Sequence, residues 1–261
     1  MKKVLEAVVL VAVLLGARSA RATPSTVLWT PVTTYTQPFL VPHLTYDSYV
    51  AEKSFISNDY GLTLGVSPSD KLLAEVGFDI FQPGRFNDLF QVNGKITLAE
   101  GAFGAWQPGV SAGIMNVGFK KDVSNYDLMH LDVGKAFPFG TIAVGGYYGA
   151  GSKLLWTGSD GAVNRGGVMA SYTSPDLVLN LTGLQKINAF GDFATGNNWF
   201  GGGGVGVGLY PTSTVDVLFG PVWFFDSKLA KGLYGADMVW TLQLDIDFDL
   251  RPPKPPEPAK S

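Results

Sequence analysis

Acidic side chains recur at alternate positions near the end of the chain, within residues 236–248. Asp237, Asp245 and Asp247 alternate there with apolar residues such as Trp240 and Leu242. Because successive side chains of a β-strand point to opposite faces, the carboxylates share one face and the apolar residues the other. Carboxylates gathered along one wall concentrate cations and repel anions. The alternation is also long, since a tilted membrane-spanning strand needs only about 9–11 residues.

Other alternating runs of the chain carry further charged side chains on their polar faces. We take these as candidate pore-lining residues: Glu75, Asp79, Lys95, Asp132, Lys135, Asp237, Asp245 and Asp247. Acids outnumber bases in this set, so an open lumen lined by them is expected to prefer cations. The alternative is that the acids are paired within the protein and have a purely structural role.

A hydrolytic site with a serine nucleophile is the alternative to a cation-attracting lumen. His130 and Asp132 share one predicted strand face, and Ser111 or Ser171 on other strands offer a hydroxyl. Catalysis requires the base beside the nucleophile and a group that orients the base. No serine lies in a recognisable signature near either histidine, so we predict no catalytic residue and no enzyme.

Metal and cofactor chemistry has little support in the sequence. The chain has no cysteine and only two histidines, His43 and His130, which is too few for a zinc site built mainly on imidazole. Residues 201–208 are glycine-rich, but the Lys-Ser/Thr ending of a phosphate loop is missing, as is a following helix. Glycines in a strand mark a bend or a close approach, so we expect them to make room in the lumen. No metal and no cofactor is predicted.

The amino terminus has the pattern of a secretory signal peptide. Two lysines follow Met1, residues 4–15 are almost wholly apolar, and Ala20-Arg21-Ala22 is a small-x-small cleavage site. The apolar run is too short to span a bilayer as a helix. We therefore expect residues 1–22 to be removed and the mature chain to begin near Thr23.

Composition restricts the class of protein further. Hydrophobic residues make up 46%, charged residues 16%, and there are 33 glycines. Charge is low beside the roughly 25% of a typical soluble domain, yet no window after residue 22 holds the 18 apolar residues of a membrane helix. From Thr23 onward the chain has 15 basic and 21 acidic residues, a net charge of −6 without a basic stripe, which excludes nucleic acid as a partner.

The alternating runs predict an up-and-down antiparallel transmembrane β-barrel of about 12 strands, with 10 to 14 as the range. The runs are residues 43–50, 60–67, 72–81, 90–98, 110–117, 127–135, 141–150, 167–173, 177–184, 200–210, 214–225 and 236–248. Short, turn-forming connections at 68–70, 99–105, 137–140, 174–176 and 211–213 alternate with longer ones at 51–59, 82–88, 118–126, 151–165, 185–199 and 226–234. Short periplasmic turns and longer external loops are typical of outer-membrane barrels.

Aromatic residues cluster where the runs meet these connections and predict two interfacial girdles. On the short-turn side they are Phe103, Trp106, Phe137, Phe139, Tyr210 and Phe248. On the other side they are Phe86, Phe90, Trp156, Trp199, Phe200, Trp223, Phe224 and Phe225.

Proline marks both ends of the predicted barrel, residues 43–250. Residues 23–42 contain four prolines and predict an extended segment that lies either in the periplasm or in the lumen as a plug. Residues 251–261, RPPKPPEPAKS, predict an extended periplasmic tail. The tail is either a plain spacer or a contact with the cell wall or a periplasmic protein.

Taken together, the signal peptide, the alternating runs, the alternation of connections and a last strand ending in Phe248 resemble bacterial outer-membrane β-barrel proteins of the porin-like class. The resemblance covers about residues 44–248. It implies an all-β barrel in the outer membrane of a Gram-negative-type bacterium, in contact with outer-membrane lipid and the barrel insertion machinery. That machinery recognises an aromatic residue at the end of the last strand in this class, the position that Phe248 matches before the tail.

The function expected from these observations is a small channel for passive, cation-preferring diffusion of small solutes. Transport of hydrophobic molecules is a variant of this channel, favoured if residues 23–42 plug the lumen. The alternatives are a non-conducting structural or binding barrel and a barrel hydrolase with His130 as its base.

Overall fold

The computed structural model describes residues 26–51, 54–82 and 89–251. The predicted signal peptide, loop residues 83–88 with Phe86, and the tail after Arg251 lie outside the described residues.

The strands form one antiparallel sheet that closes on itself. They are β1 (Pro42–Ala51), β2 (Ser54–Gly65), β3 (Leu72–Gln82), β4 (Phe90–Leu98), β5 (Gly109–Gly118), β6 (Leu128–Phe137), β7 (Gly140–Gly149), β8 (Gly166–Thr173), β9 (Leu177–Leu181), β10 (Leu184–Ala194), β11 (Gly202–Tyr210), β12 (Val215–Phe224) and β13 (Met238–Asp247). Each strand except β9 pairs with neighbours on both sides, and β13 closes onto β1 with His43 opposite Asp247. The predicted all-β up-and-down barrel of about 12 strands is confirmed.

The ninth predicted strand, residues 177–184, is right only for 177–181, which form β9, and the long connection predicted at 185–199 is wrong because most of it is β10. Residues Phe190–Ala194 of β10 pair with β8, while the beginning of β10 pairs with β9. β9 prolongs β8 beyond a bend at Pro175, and the hairpin turn falls at Gly183, where φ is +79°. Apolar and polar residues alternate through both β9 and β10, so the alternation does not show where the turn lies. The sequence prediction placed the turn at Pro175, which is a stronger turn signal than Gly183.

The connections fall at two ends of the barrel. We call the end that holds the β2–β3, β4–β5, β6–β7, β8–β10 and β11–β12 connections the short-turn end, and the opposite end the long-loop end. The first external connection, predicted at 51–59, is instead a short one, because β1 runs to Ala51 and β2 starts at Ser54. The long-loop end carries a 3-10 turn (Lys153–Trp156) and a helix, α1 (Ser227–Tyr234).

The outer surface of the barrel is an apolar band. On β6, Met129, Leu131 and Val133 are 49, 58 and 40% exposed, whereas His130 and Asp132 between them are buried. The same alternation exposes Trp240 and Leu242 on β13. This is the pattern of a sheet that faces hydrocarbon on one side and a polar interior on the other. Among the described helices, none has the length and apolar character needed to cross a membrane.

Aromatic side chains border the apolar band at both ends. Phe103, Trp106, Phe137 and Phe139 are exposed at the short-turn end, and Phe119, Tyr148, Trp223 and Phe225 at the other. Five residues that we predicted for the girdles are inside instead: Trp156, Phe200, Tyr210 and Phe224 are buried, and Trp199 packs against the core. All of these except Tyr210 belong to a ring cluster around Trp29, a residue whose position strand periodicity could not give.

Residues 26–41, which we call the inner segment, lie inside the barrel. Leu28, Val32 and Val41 are at most 1% exposed. The Trp29 Nε1–H donates to the carbonyl of Phe200 at the long-loop end, 2.8 Å away, and the Leu40 N–H donates to the carbonyl of Gly65 at the short-turn end. Of the two placements that the sequence left open, the structure shows the lumen.

Glycines in the wall give the inner segment its space. A Cβ added to Gly204 would lie 2.7 Å from Leu28 Cδ2, and one added to Gly65 would overlap the carbonyl oxygens of Gln37 and Pro38. The glycine-rich stretch of β11 therefore allows close approach of another chain segment, as glycine in a strand often does.

Candidate functional site in the lumen

The inner segment is anchored to β10 by one buried carboxylate. Asp192 Oδ2 accepts the N–H groups of Leu28, Trp29 and Thr30 at 3.3, 2.9 and 2.6 Å, and the Thr30 hydroxyl at 2.8 Å. Hydrogen bonds to an ionised acceptor are roughly twice as strong as neutral ones. Asp192 therefore fixes the turn of the inner segment around Trp29.

A second set of contacts holds the part of the inner segment nearer the short-turn end. The Gln37 N–H donates to Glu75 Oε2 at 2.6 Å and its side-chain amide to Asp247 Oδ1 at 2.7 Å. The hydroxyls of Ser111 and Ser171 donate to the carbonyls of Thr33 and Val32. Backbone groups that would otherwise be unpaired inside the barrel are satisfied in this way.

The inner segment leaves part of the lumen empty. A cavity of about 320 Å³, which we call the lumen cavity, lies between it and the walls formed by β1–β6 and β13. Toward the long-loop end its lining is aromatic, with Trp29, Tyr49, Tyr126, Trp199, Phe224 and Tyr234. The rest of its wall is rich in carboxylates.

The basic groups of the cavity wall are already paired with acids. Lys95 Nζ lies 3.1 Å from Glu75 Oε1 across the β3–β4 pair. His43 lies between two acids, with Nε2 3.2 Å from Asp245 and Nδ1 2.9 Å from Asp247. These pairs are buried, so they are little screened by salt.

Three other carboxylates of the wall have no such partner. Asp47, Asp59 and Asp79 line the cavity on the neighbouring strands β1, β2 and β3, and none forms an ion pair with a described Lys, Arg or His. Asn93 donates a hydrogen bond to Asp79, and the Thr45 hydroxyl, which donates to Asp245, lies 3.4 Å from Asp47. We call these three residues the acid trio.

Sequence reasoning named only Asp79 of the trio. Asp47 lies on the first run, where the alternation is weak, and Asp59 was assigned to the end of a loop, although β2 in fact begins at Ser54. The signal that could have found them is their polar parity: Asp47 follows His43 and Thr45 at intervals of two, and Asp59 precedes Gly61 and Thr63 likewise.

Six of the eight residues predicted to line a pore point into the barrel. Glu75, Asp79, Lys95 and Asp245 line the lumen cavity, while Asp132 and Asp247 are buried beside it against other interior groups. Whether ions pass them stays a prediction.

Lys135 and Asp237 are placed differently, and their assignment to the lumen wall was wrong. Lys135 has the same parity as the outward-facing Leu131 and Val133 on β6, and its Nζ lies 2.8 Å from Glu100 at the short-turn end. Asp237 precedes β13 and pairs at 2.9 Å with Lys231 of α1, with its side chain half exposed. Both therefore lie at the rims.

The residues weighed for hydrolysis do not form a nucleophile and base pair. His130 Nδ1 lies 2.6 Å from Asp132 Oδ2, but the Ser111 hydroxyl is 3.4 Å from that same carboxylate oxygen. Asp132 thus stands between imidazole and hydroxyl, so the imidazole does not contact the hydroxyl that it would have to deprotonate. Within the described residues no cluster of histidine and carboxylate side chains has the arrangement of a metal site.

Two carboxylates at the long-loop end have pKa values that are set by hydrogen bonds. At the long-loop end, hydrogen bonds from Lys231 and then from Ser227 lower the pKa of Asp237. Burial alone would raise the pKa of Asp226, but hydrogen bonds from the backbone of Ser159 and Leu229 outweigh it and lower that pKa. Both acids are therefore ionised at neutral pH and hold α1 in place.

Comparison with solved structures finds distant likenesses only. The chain matches an outer membrane channel from Pseudomonas putida F1 at 8% identity and a TM-score of 0.45, over 89% of this chain and 99% of that one. It matches two mutants of the Rh. blastica porin at 10% identity each, with TM-scores of 0.36 and 0.37, over 74% and 88% of this chain and 55% and 66% of the porin. These values carry no functional argument, and the barrel is established by its own strand pairing.

No protein-family model matches the chain. No curated protein matches it either.

Proposed function

We propose that the protein is an outer-membrane channel for passive diffusion of small solutes, with a preference for cations. The observation that carries the proposal is the lumen cavity, whose wall holds the acid trio without an ion-pair partner among the described residues. A carboxylate at 4 Å attracts a passing monovalent cation by about 4 kcal/mol at an effective dielectric constant of 20, and it repels an anion equally. The apolar outer band and its aromatic borders support placement in the outer membrane.

The test is the reversal potential of single channels in a planar bilayer across a KCl gradient. For Asp79→Asn we expect the cation-to-anion permeability ratio to fall about twofold or more, because a charge is removed from the lumen wall. Asp70→Asn removes the same charge from an exposed short turn and serves as the matched control, with little expected change. An unaltered ratio in Asp79→Asn would contradict the role given to the acid trio.

A non-conducting binding barrel is the second candidate, because the inner segment is bonded to the wall at several points. In that case the folded wild-type barrel passes no measurable current, and the cavity is a closed binding chamber. The contact between Asp132 and both His130 and Ser111 gives no comparable support to hydrolysis.

A further inference from the structure

The acid trio is arranged as one continuous acidic patch on three strands. Asp47 and Asp59 are directly opposite in the β1–β2 register, where Cβ atoms are typically about 4.5–5.5 Å apart. Asp79 is opposite Gly61, one diagonal step from Asp59. Its carboxylate leans over that glycine, since a Cβ on Gly61 would lie 2.6 Å from Asp79 Oδ1. Gly61 thus lets the third carboxylate approach the other two.

Among the described residues no basic side chain forms an ion pair with this patch. Like charges directly opposite on a sheet destabilise it. Asp59 is only 9% exposed, it lines the cavity, and its Oδ1 has no hydrogen-bond partner among the described residues. A buried acceptor without a donor is costly. The bases nearby, Lys95 and His43, are engaged by Glu75, Asp245 and Asp247.

The aromatic end of the same cavity has a complementary property. Trp29 contacts the rings of Tyr49 and Phe224 with centroids 6.1 and 5.1 Å apart, and Phe224 stacks with Tyr234 at 4.7 Å. Such rings accept apolar groups, and their faces attract cations. The cavity thus offers a carboxylate wall and an aromatic wall to one occupant.

We propose that the lumen cavity binds an organic ammonium ion. Its charged nitrogen donates to the acid trio, with Asp59 Oδ1 as one acceptor, and its apolar or aromatic part packs against Trp29 and Tyr49. The cavity volume of about 320 Å³ falls in the range of small-molecule pockets. A bare metal ion would leave the aromatic end empty. The proposal deepens the proposed function by naming the class of cation, but binding itself does not require that the barrel conducts.

The experiment is a calorimetric titration of the refolded mature protein in detergent micelles with benzylammonium chloride. Benzyl alcohol is the neutral control, with the same ring and no charge. We expect benzylammonium to bind at least tenfold more tightly, roughly the factor that one charge-assisted hydrogen bond gives. Asp59→Asn should weaken benzylammonium binding about tenfold, and Tyr49→Leu about threefold, by the loss of a carboxylate and of a ring face.

Asp216→Asn is the matched control for Asp59→Asn. Asp216 is also a buried acid of the barrel, and both its oxygens lack hydrogen-bond partners among the described residues, but it lies outside the lining of the cavity. Its replacement should leave the affinity within twofold of wild type. If Asp59→Asn does not refold, Asp47→Asn replaces it with the same expected loss.

The outcomes separate this inference from the proposed function. Equal affinity for benzylammonium and benzyl alcohol, or equal losses in Asp59→Asn and Asp216→Asn, would overturn the inference even where bilayer currents remain cation-preferring. Selective binding by a barrel that passes no current would uphold the inference and remove the channel. Selective binding together with block of the potassium current by benzylammonium would support both.

Discussion

Asp192 is the residue on which the position of the inner segment depends most. One of its oxygens accepts four hydrogen bonds from residues 28–30. The other has no partner among the described residues, so the carboxylate gains little from the wall itself.

We therefore predict that Asp192→Asn loosens the inner segment without opening the barrel. Loss of the charged acceptor should destabilise the folded barrel by about 1.5–3 kcal/mol, the range for a hydrogen bond to a charged group. Single-channel conductance should rise, and residues 26–41 should become accessible to protease. Asp132→Asn is a suitable comparison, because Asp132 is equally buried but bonds wall residues. Wild-type conductance and protease resistance in Asp192→Asn would show that the segment is held elsewhere.

At the scale of elements, α1 is a helix whose anchoring depends on ionised acids. Asp226 caps its N-terminus by accepting the Leu229 N–H at 3.0 Å, and Gly235 ends it with φ +74°. Asp237 pairs with Lys231 within the helix. α1 lies at the long-loop end, and its Tyr234 lines the lumen cavity. Loss of helical structure in α1 should therefore change access to the cavity from that end.

The lowered pKa values of Asp226 and Asp237 predict acid-sensitive order in α1. A carboxyl whose pKa is lower in the folded state than in the unfolded state stabilises the fold above the unfolded value, and this stabilisation is lost as pH falls through the folded value. Amide exchange protection of residues 227–234, corrected for chemical exchange, should stay constant from pH 7 to about 5 and drop below about 4. In Asp226→Asn the drop should be smaller, since the amide still caps but no longer titrates. Full protection at pH 3 in the wild type would refute this.

Element by element, the sequence predicts what periodicity encodes and misses what it does not. The outward and inward faces of β13 follow from its alternation, with Trp240 and Leu242 exposed and Thr241 and Gln243 buried. The position of the hairpin turn before β10 does not follow from alternation, because the apolar and polar residues alternate on both sides of it. The turn is set by the local backbone at Gly183. Asp59 was missed for a related reason, since the end of a strand is not marked by its pattern.

The aromatic cluster around Trp29 depends on tertiary structure alone. Nothing in residues 26–41 indicates which wall they contact, and Trp156, Trp199 and Phe200 have the composition and position of girdle residues. They lie inside because they pack against Trp29 of the inner segment and against one another in a buried ring cluster.

For the whole molecule, the apolar outer band predicts where charge is tolerated. Leu242 faces outward near the middle of β13, and Leu233 is exposed on α1 outside the sheet. Leu242→Arg should lower the free energy of unfolding in bilayers by about 2–4 kcal/mol, the range for arginine at the bilayer midplane. Leu233→Arg is expected to change it by less than about 0.5 kcal/mol. The measurement is denaturant unfolding in lipid vesicles. Equal losses of unfolding free energy in Leu242→Arg and Leu233→Arg would show that Leu242 does not face the hydrocarbon.

The seam between β1 and β13 has a consequence for how the molecule folds. Gln37 and His43 meet Asp247 across 210 and 204 residues of chain, so the first and last strands must find each other before these contacts exist. Contacts of such high sequence separation form late, since the loop-closure entropy precedes any gain from pairing. We therefore expect the contacts of Gln37 and His43 with Asp247 to form late in folding, so that the lumen cavity, which His43 lines, stays incomplete on this side until the first and last strands have paired.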